Sequence, residues 1–194
     1  MKFLRITLAA LMLLSACSKD IDEINPIANQ ADQALSSKVS KVSKPRPFNV
    51  HFYTTEDPDP TIPKTPCTGD IPGWANPGYF LNGTGTHIGQ IDPLQSRGQD
   101  VTCNMNLTTF LLTTSIAGQI ASADGDLIFY TGNDEINIYN FATGSGPTGS
   151  ITGLWTITGG TGKFTGATGS FTINGPVDFV TRTFSFDGVG TITY

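Results

Sequence analysis

The sequence predicts an all-β protein, with an antiparallel up-and-down barrel of about eight strands that follows a signal peptide and a flexible tether. Runs of alternating apolar and polar residues recur along most of the chain, and short Gly-rich or Asp-Gly turns separate them. The charged fraction of 14% is low, and 22 of the 194 residues are glycine. Curled strands joined by tight turns favour a closed barrel, because closure leaves no exposed sheet edge.

The Gly-rich stretch 159–170 (GGTGKFTGATGS) lies between two strand-like runs, at 151–158 and 171–178. Glycine tolerates positive φ and close backbone approach, so this stretch is predicted to be a tightly wound connection. Phe164 stands among the glycines, and we expect its ring to be buried beneath the turn. Lys163 is expected on the solvent side of the same turn.

The last run, 182–194, has the clearest period of two. One face carries Phe184, Phe186, Ile192 and Tyr194 together with Gly188 and Gly190. Glycines on the apolar face of a strand predict a bend or bulge, which suits a strand that curls around a barrel.

Earlier strand signals are also clear. The first strand is predicted at 48–53, and an extended pattern resumes at 79–91. Alternation at 101–107 predicts one face composed of Val101, Cys103, Met105 and Leu107. That run is expected to continue through 110–116.

Two turns are predicted in the centre of the chain. Ala123–Asp126 is expected to join strands at 118–122 and 127–131. Asn133-Asp134 is expected to be a second turn, which opens a strand at 135–141. Residues 143–150 are predicted to be a loop.

The N-terminus has the features of a lipoprotein signal. Lys2 and Arg5 precede an apolar run at 6–14, which is too short to span a bilayer. Leu14-Ser15-Ala16-Cys17 resembles the bacterial lipobox. The resemblance implies that residues 1–16 are removed and that Cys17 carries acyl chains, which anchor the protein to a membrane. Ser18 in place of Asp favours the outer membrane, at its periplasmic face or at the cell surface.

Residues 17–46 are predicted to be the lipidated Cys and a flexible linker, with a short helix at 28–35 as its one candidate element. The folded domain is predicted at 47–194, with a Pro-rich, irregular insertion at 57–78. From Pro47 onward, four Lys and Arg side chains face twelve Asp and Glu side chains, a net charge of about −8. This balance argues against a nucleic-acid partner, which would require clustered basic residues.

Cys67 and Cys103 remain once Cys17 is lipidated. The cell envelope is oxidising, so a disulfide between them is the simplest prediction. Two buried free thiols are the alternative. A metal site is the least favoured, since neither Cys belongs to a CxxC pair and only His51 and His87 could join them.

Three segments carry a resemblance to a known family. GTGTHIG (83–89), DGDLIFYTG (124–132) and WTITGGTGKFTGATGSFTING (155–175), followed by DGVGTITY (187–194), resemble bacterial members of the allene oxide cyclase-like barrel superfamily, which includes the plant dirigent proteins. The resemblance implies an eight-stranded antiparallel barrel whose interior is sometimes a cavity, and a dimer or trimer as in dirigent-like relatives. It transfers no catalytic residue to this chain.

Candidate site residues are few. His87 could be a general base, although pairing with a backbone carbonyl in a strand is the more common role. Five residues with side-chain oxygens could bind calcium, but their spacing does not match a calcium loop. They are Asp124, Asp126, Asn133, Asp134 and Glu135. Aromatic side chains of the closing strands either fill the barrel, which is favoured, or line a pocket together with His87. These aromatic residues are Trp155, Phe171, Phe184, Phe186 and Tyr194.

Three functions follow from these observations. The leading hypothesis is a non-catalytic binding or interaction module at the cell envelope, without a cofactor or a metal, that binds a hydrophobic small molecule or an envelope protein. An enzyme of the cyclase or isomerase type is the second, on fold analogy alone. A structural surface lipoprotein without a ligand is the third. A pocket with polar groups of shifted pKa would favour the enzyme, and a filled interior would favour the structural protein.

Overall fold

The computed structural model describes residues 43–59, 61, 63–70, 75–140 and 146–194. The signal peptide at 1–16, the lipidated Cys17, the candidate helix at 28–35 and nearly all of the linker therefore lie outside the described residues. Part of the predicted loop at 143–150 lies outside them as well. In the described part of the chain, no helix is long and apolar enough to cross a membrane.

β-Strands dominate the described residues, which confirms the all-β prediction. The long strands are β1 (Arg46–Glu56), β5 (Tyr79–Gly85), β7 (Arg97–Asn106), β8 (Leu111–Ala121), β9 (Leu127–Tyr139), β10 (Thr148–Gly160), β11 (Thr168–Asp178) and β12 (Thr183–Thr193). Two-residue strands lie between them: β2 (Thr65–Pro66), β3 (Thr68–Gly69), β4 (Ala75–Asn76) and β6 (Gly89–Gln90).

The long strands form a closed ring of hydrogen-bonded neighbours. Strands β7 to β12 pair in chain order, β12 pairs with β1, and β1 pairs with β5. The ring closes where β5 meets β7, at Tyr79–Gly98 and Phe80–Arg97. All of these pairings are antiparallel. Closure leaves the long strands without a free edge, as the turn-rich pattern predicts.

Alternate residues of each strand face the interior of the ring, where an aromatic cluster forms the core. Trp155 on β10 stacks on Tyr130 of β9, with ring centroids 4.5 Å apart and an interplanar angle of 5°. Phe52, Phe171 and Phe186 surround Trp155, with centroids between 5.5 and 5.9 Å from it. Offset and tilted ring pairs of this kind add to the stabilisation that burial already provides.

The connection at 159–170 is wound as predicted. Gly162–Phe164 form one 3₁₀ turn between β10 and β11, and Phe164 is fully buried. Its ring meets Tyr194 edge-on at 5.1 Å. Gly162 has φ of +54°, and a Cβ there would lie 1.7 Å from Oδ1 of Asp126. This position therefore requires glycine on both conformational and steric grounds.

Two predictions about the central strands are wrong. The run at 101–107 does not continue through 110–116, because the chain reverses at 107–110 and β8 begins at Leu111. Asn133-Asp134 is not a turn either, because both residues lie in the middle of the unbroken strand β9. The predicted turn at Ala123–Asp126 does join β8 to β9, with Gly125 at φ of +85°.

The Pro-rich segment at 57–78 is largely irregular, as predicted, but two of its short strands anchor it. Thr65–Pro66 pairs with Ala75–Asn76, and Thr68–Gly69 runs parallel to β7. The predicted disulfide between Cys67 and Cys103 is present, with the two Cα atoms 4.4 Å apart. The bond ties this segment to the middle of β7, so it lies against the ring.

Candidate functional site

A cavity of about 620 Å³ lies in the interior of the ring. This volume lies within the range of small-molecule sites. Inward-facing residues of β1, β7, β8, β9, β10 and β12 line it, together with residues 75–78 of the Pro-rich segment and Tyr79 of β5. The side chains therefore do not fill the interior, contrary to the favoured expectation from the sequence.

Most of the cavity wall is apolar. Trp155, Phe184 and Phe186 contribute aromatic surface, and Phe179 lies beside Phe184 with ring centroids 5.9 Å apart. Aliphatic side chains complete the wall; they are Met105, Leu112, Ile136, Ile138 and Ile151. A ligand in this space would bury its apolar surface against close-packed hydrocarbon, which is the main source of affinity in such sites.

Asp134 is the most unusual residue of the lining. It faces inward from β9, and only 4% of its surface is exposed. The indole Nε1 of Trp155 donates a hydrogen bond to its Oδ1 at 2.8 Å. Directly across the β9–β10 pairing stands Gly153, where a Cβ would lie 2.0 Å from that same oxygen. Gly153 therefore leaves room for the carboxyl group of Asp134, and the indole of Trp155 fixes its orientation.

The surroundings of Asp134 favour its neutral form. Burial raises the pKa of Asp134 to about 7, and the charge of Asp100 adds to this effect, while the Trp155 hydrogen bond partly opposes it. A carboxyl group with this pKa exists in both protonation states near neutral pH. It can therefore either donate a proton or accept a hydrogen bond in the cavity.

Asp100 is the second inward-facing acid, and a β-bulge directs it into the cavity. The β7–β8 register shifts between Asp100 and Thr102, so Val101 is the extra residue and lies on the outside. Such bulges re-aim side chains. The side-chain amide of Asn76 donates a hydrogen bond to Oδ2 of Asp100. Burial raises the pKa of Asp100 to about 6, and this hydrogen bond partly opposes the effect.

The mouth of the cavity is charged. Glu56, Lys64 and Arg182 belong to the lining, yet their side chains retain between 27% and 66% exposure, so they mark the solvent end. Lys64 Nζ lies 4.0 Å from Oε1 of Glu56, and Arg182 forms a close ion pair with Oε2 of the same carboxylate. Both basic groups of the mouth therefore face Glu56.

Of the aromatic residues predicted from the sequence as pocket lining, three line the cavity and two do not. Trp155, Phe184 and Phe186 line the cavity. Phe171 is buried in the aromatic core beside Phe48, with ring centroids 5.1 Å apart. Tyr194 packs edge-on against Phe164 and does not belong to the cavity lining.

His87 does not contribute to the cavity lining. It is exposed, with φ of +68°, in the turn that follows β5. Its Nε2 lies 3.0 Å from the carbonyl oxygen of Pro47. The expected backbone partner is present, but His87 lies in a turn rather than in a strand. The other histidine, His51, pairs with Asp187 on the outer surface at 2.7 Å.

The residues weighed as calcium ligands are spread over different surfaces. Asp134 faces the cavity, whereas its neighbours Asn133 and Glu135 are exposed on the outer face of β9. Asp124 lies in the β8–β9 turn, where Lys163 approaches its carboxylate at 3.5 Å. Among the described residues, no group of three or more potential metal ligands comes together.

Sequence reasoning missed both cavity acids, although one signal was available for Asp134. Every second residue of β9 from Ile128 to Ile138 faces inward, and each of these residues is apolar or glycine except Asp134. A single acid in an otherwise apolar stripe indicates a buried carboxyl group with a specific role. Asp100 carries no such signal, because the bulge that turns it inward is not visible in the alternation.

Comparison of this chain with protein-family models, with curated proteins and with solved structures found no match.

Proposed function

We propose that the protein is a lipid-anchored envelope protein whose β-domain binds an apolar small molecule carrying a polar group. The observation that supports this proposal is the cavity of about 620 Å³, with its largely apolar wall and two inward-facing carboxyl groups. In small barrels, side chains alone commonly fill the interior. A retained cavity with buried polar groups is the usual form of a ligand site, because those groups are costly to bury without a partner.

The sequence supports the membrane-anchored location that this proposal includes. The lipobox at Leu14–Cys17 anchors the chain in a membrane, and the linker that follows lets the β-domain stand away from it. The resemblance to allene oxide cyclase-like and dirigent-like proteins extends the proposal to an eight-stranded up-and-down barrel and to a homo-oligomer. In that superfamily the barrel interior is sometimes a cavity.

Binding of N-phenyl-1-naphthylamine, a neutral apolar dye that brightens in apolar surroundings, tests this function. We expect saturable binding to the full chain. Thr114→Phe should weaken it by about tenfold or more, because Thr114 lines the cavity and a ring there would occupy the space of the dye. Thr113→Phe, on the opposite face of the same strand, is the matched control and should leave binding unchanged.

Binding that does not saturate, or binding that Thr114→Phe leaves intact, would contradict the proposal. A structural surface lipoprotein without a ligand would then be the better description of the protein.

A second candidate is an enzyme that isomerises or cyclises an apolar molecule, and the pKa of Asp134 is the observation that favours it. A general acid or base is most effective when its pKa lies near the ambient pH, and burial raises the pKa of Asp134 to about 7. Isomerisation changes no mass, so chromatography would follow it. If the wild type converts a test compound and Asp134→Asn does not, the result would support catalysis. If the protein binds the dye but converts no test compound, binding alone would be the supported function.

A further inference from the structure

Neither acid of the cavity has a basic partner among the described residues of the domain. Four basic side chains occur from Pro47 onward, and each has a carboxylate partner elsewhere. Lys64 and Arg182 face Glu56 at the mouth. Arg97 lies 3.8 Å from Asp57, and Lys163 lies 3.5 Å from Asp124. Among the described residues, no basic side chain pairs with Asp100 or Asp134.

Each cavity acid instead receives one neutral hydrogen bond from the protein. Trp155 donates to Oδ1 of Asp134, and Asn76 donates to Oδ2 of Asp100. These donors fix the orientation of each carboxyl group and use one of its two oxygens. Within the described part of the chain, the second oxygen of each group has no donor. A carboxylate accepts several hydrogen bonds, so both retain capacity for a ligand.

The aromatic wall beside these acids has a matching property. The faces of Trp, Tyr and Phe rings carry negative potential and attract cations, most strongly where water is excluded. Trp155, Phe184 and Phe186 line the same cavity as the two acids. An ammonium group in this cavity would therefore lie among carboxyl groups and aromatic side chains, whereas an anionic group would oppose the ionisation of both acids.

We propose that the ligand of the cavity is an apolar amine, whose ammonium group pairs with Asp134 and Asp100 while its apolar body packs against Trp155, Phe184 and Phe186. This inference rests on the proposed function of the cavity as a small-molecule site. The raised pKa values of the two acids are consistent with it, because a buried cation would supply the charge compensation that they lack. A bare Ca²⁺ or Mg²⁺ ion fits less well, since these ions take six or more oxygen ligands and only two acids line the cavity near Trp155.

Three compounds of equal length, 4-phenylbutylamine, 4-phenylbutan-1-ol and 4-phenylbutanoate, separate the charge of a ligand from its apolar body. Calorimetry with the full chain at about pH 7 should show the amine binding at least about tenfold more tightly than the alcohol, with the carboxylate weakest. The amine should also release protons, measured from the dependence of heat on buffer, because a partly protonated carboxyl ionises against the ammonium.

Asp134→Asn and Asp100→Asn should each reduce the preference for the amine over the alcohol to less than about threefold while the alcohol still binds. In Asp134→Asn the proton release should also fall sharply, because Asp134 holds more of the releasable proton at about pH 7 than Asp100 does. Glu135→Gln is the matched control, because this acid neighbours Asp134 but is exposed on the outer face of β9, and it should change neither quantity. Binding of the alcohol also reports on the fold of each variant.

The outcomes separate this inference from the function on which it rests. If the alcohol or the carboxylate binds as tightly as the amine, the amine inference is wrong and the cavity remains a small-molecule site. If both Asp variants keep the full preference for the amine, the ammonium is bound elsewhere and the inference is again wrong. If none of the three compounds binds, the proposed function fails together with it.

Discussion

Replacing Asp134 by Asn should stabilise the folded protein at neutral and higher pH. The pKa of Asp134 is about 7 in the folded chain, against 3.8 for an aspartate side chain in water. Between these values the folded chain retains a proton that the unfolded chain has released, so the free energy of unfolding falls as pH rises. The contribution of this group is fully present below about pH 4 and is lost as pH passes through the folded-state pKa.

The expected magnitude follows from the pKa difference. Each unit is worth about 1.36 kcal/mol, so the whole window corresponds to about 4 kcal/mol for Asp134 by about pH 8. Asn is isosteric and its side-chain oxygen still accepts the hydrogen bond from Trp155, so the variant removes the charge and retains the contact. Asp100 has a smaller pKa difference of the same sign, which corresponds to about 3 kcal/mol.

Urea unfolding at about pH 4.5, 6 and 8 measures this effect, with Glu135→Gln as the control on the outer face of β9. The difference in unfolding free energy between Asp134→Asn and the wild type should grow steadily with pH, while the control follows the wild type. A difference that does not change with pH would refute the reasoning, and so would an Asp134→Asn protein that is less stable than the wild type at about pH 8.

Three further predictions concern other parts of the chain. Phe164→Ala should reduce the unfolding free energy by about 3–5 kcal/mol because the ring is fully buried, whereas Lys163→Ala should change it by less than about 0.5 kcal/mol; equal effects in urea unfolding would contradict this. Cys17→Ala should abolish acylation and membrane association, and a variant that still fractionates with membranes would disprove lipid anchoring. Mass spectrometry of non-reduced peptides should recover Cys67 linked to Cys103, not two thiols open to alkylation.

The features of the fold that sequence analysis predicted correctly are local ones. Alternation identifies most strands, Asp-Gly identifies the β8–β9 turn, and the glycines around Phe164 identify a wound connection with a buried ring. Each of these depends on residues that are near one another in the chain. The disulfide could be predicted as well, because the expected lipidation of Cys17 leaves two cysteines and the expected oxidising compartment favours their pairing.

The bulge in β7 explains why Asp100 could not be identified. Counting by twos back from Cys103 places Val101 inside and Asp100 outside, whereas Val101 is 60% exposed and Asp100 is buried. One extra residue reverses the facing of every residue that precedes it. The cause is the pairing of β7 with β8, and this pairing is a tertiary property that alternation along a single strand does not encode.

Asp134 was misplaced for a different reason. An Asn-Asp pair is typical of turns, since both side chains tolerate turn conformations and bond to nearby backbone. In β9 these local preferences are outweighed by pairing on both sides, to Thr114 of β8 and to Gly153 of β10. The cost of burying the carboxyl is offset in part by the indole of Trp155, which is 21 residues away in the chain.

The contact between β5 and β7 that closes the ring, called the seam below, is short. Backbone pairing there is confined to Tyr79–Gly98 and Phe80–Arg97, with one more bond from Leu81 to Ser96, whereas β9 and β10 pair along nearly their whole length. Opening free energies within one protein tend to follow the local density of such bonds, so we expect this seam to part more easily than the β9–β10 pairing. Because Tyr79 also lines the cavity, transient parting of the seam would connect the cavity to solvent through the wall, without displacement of the charged mouth.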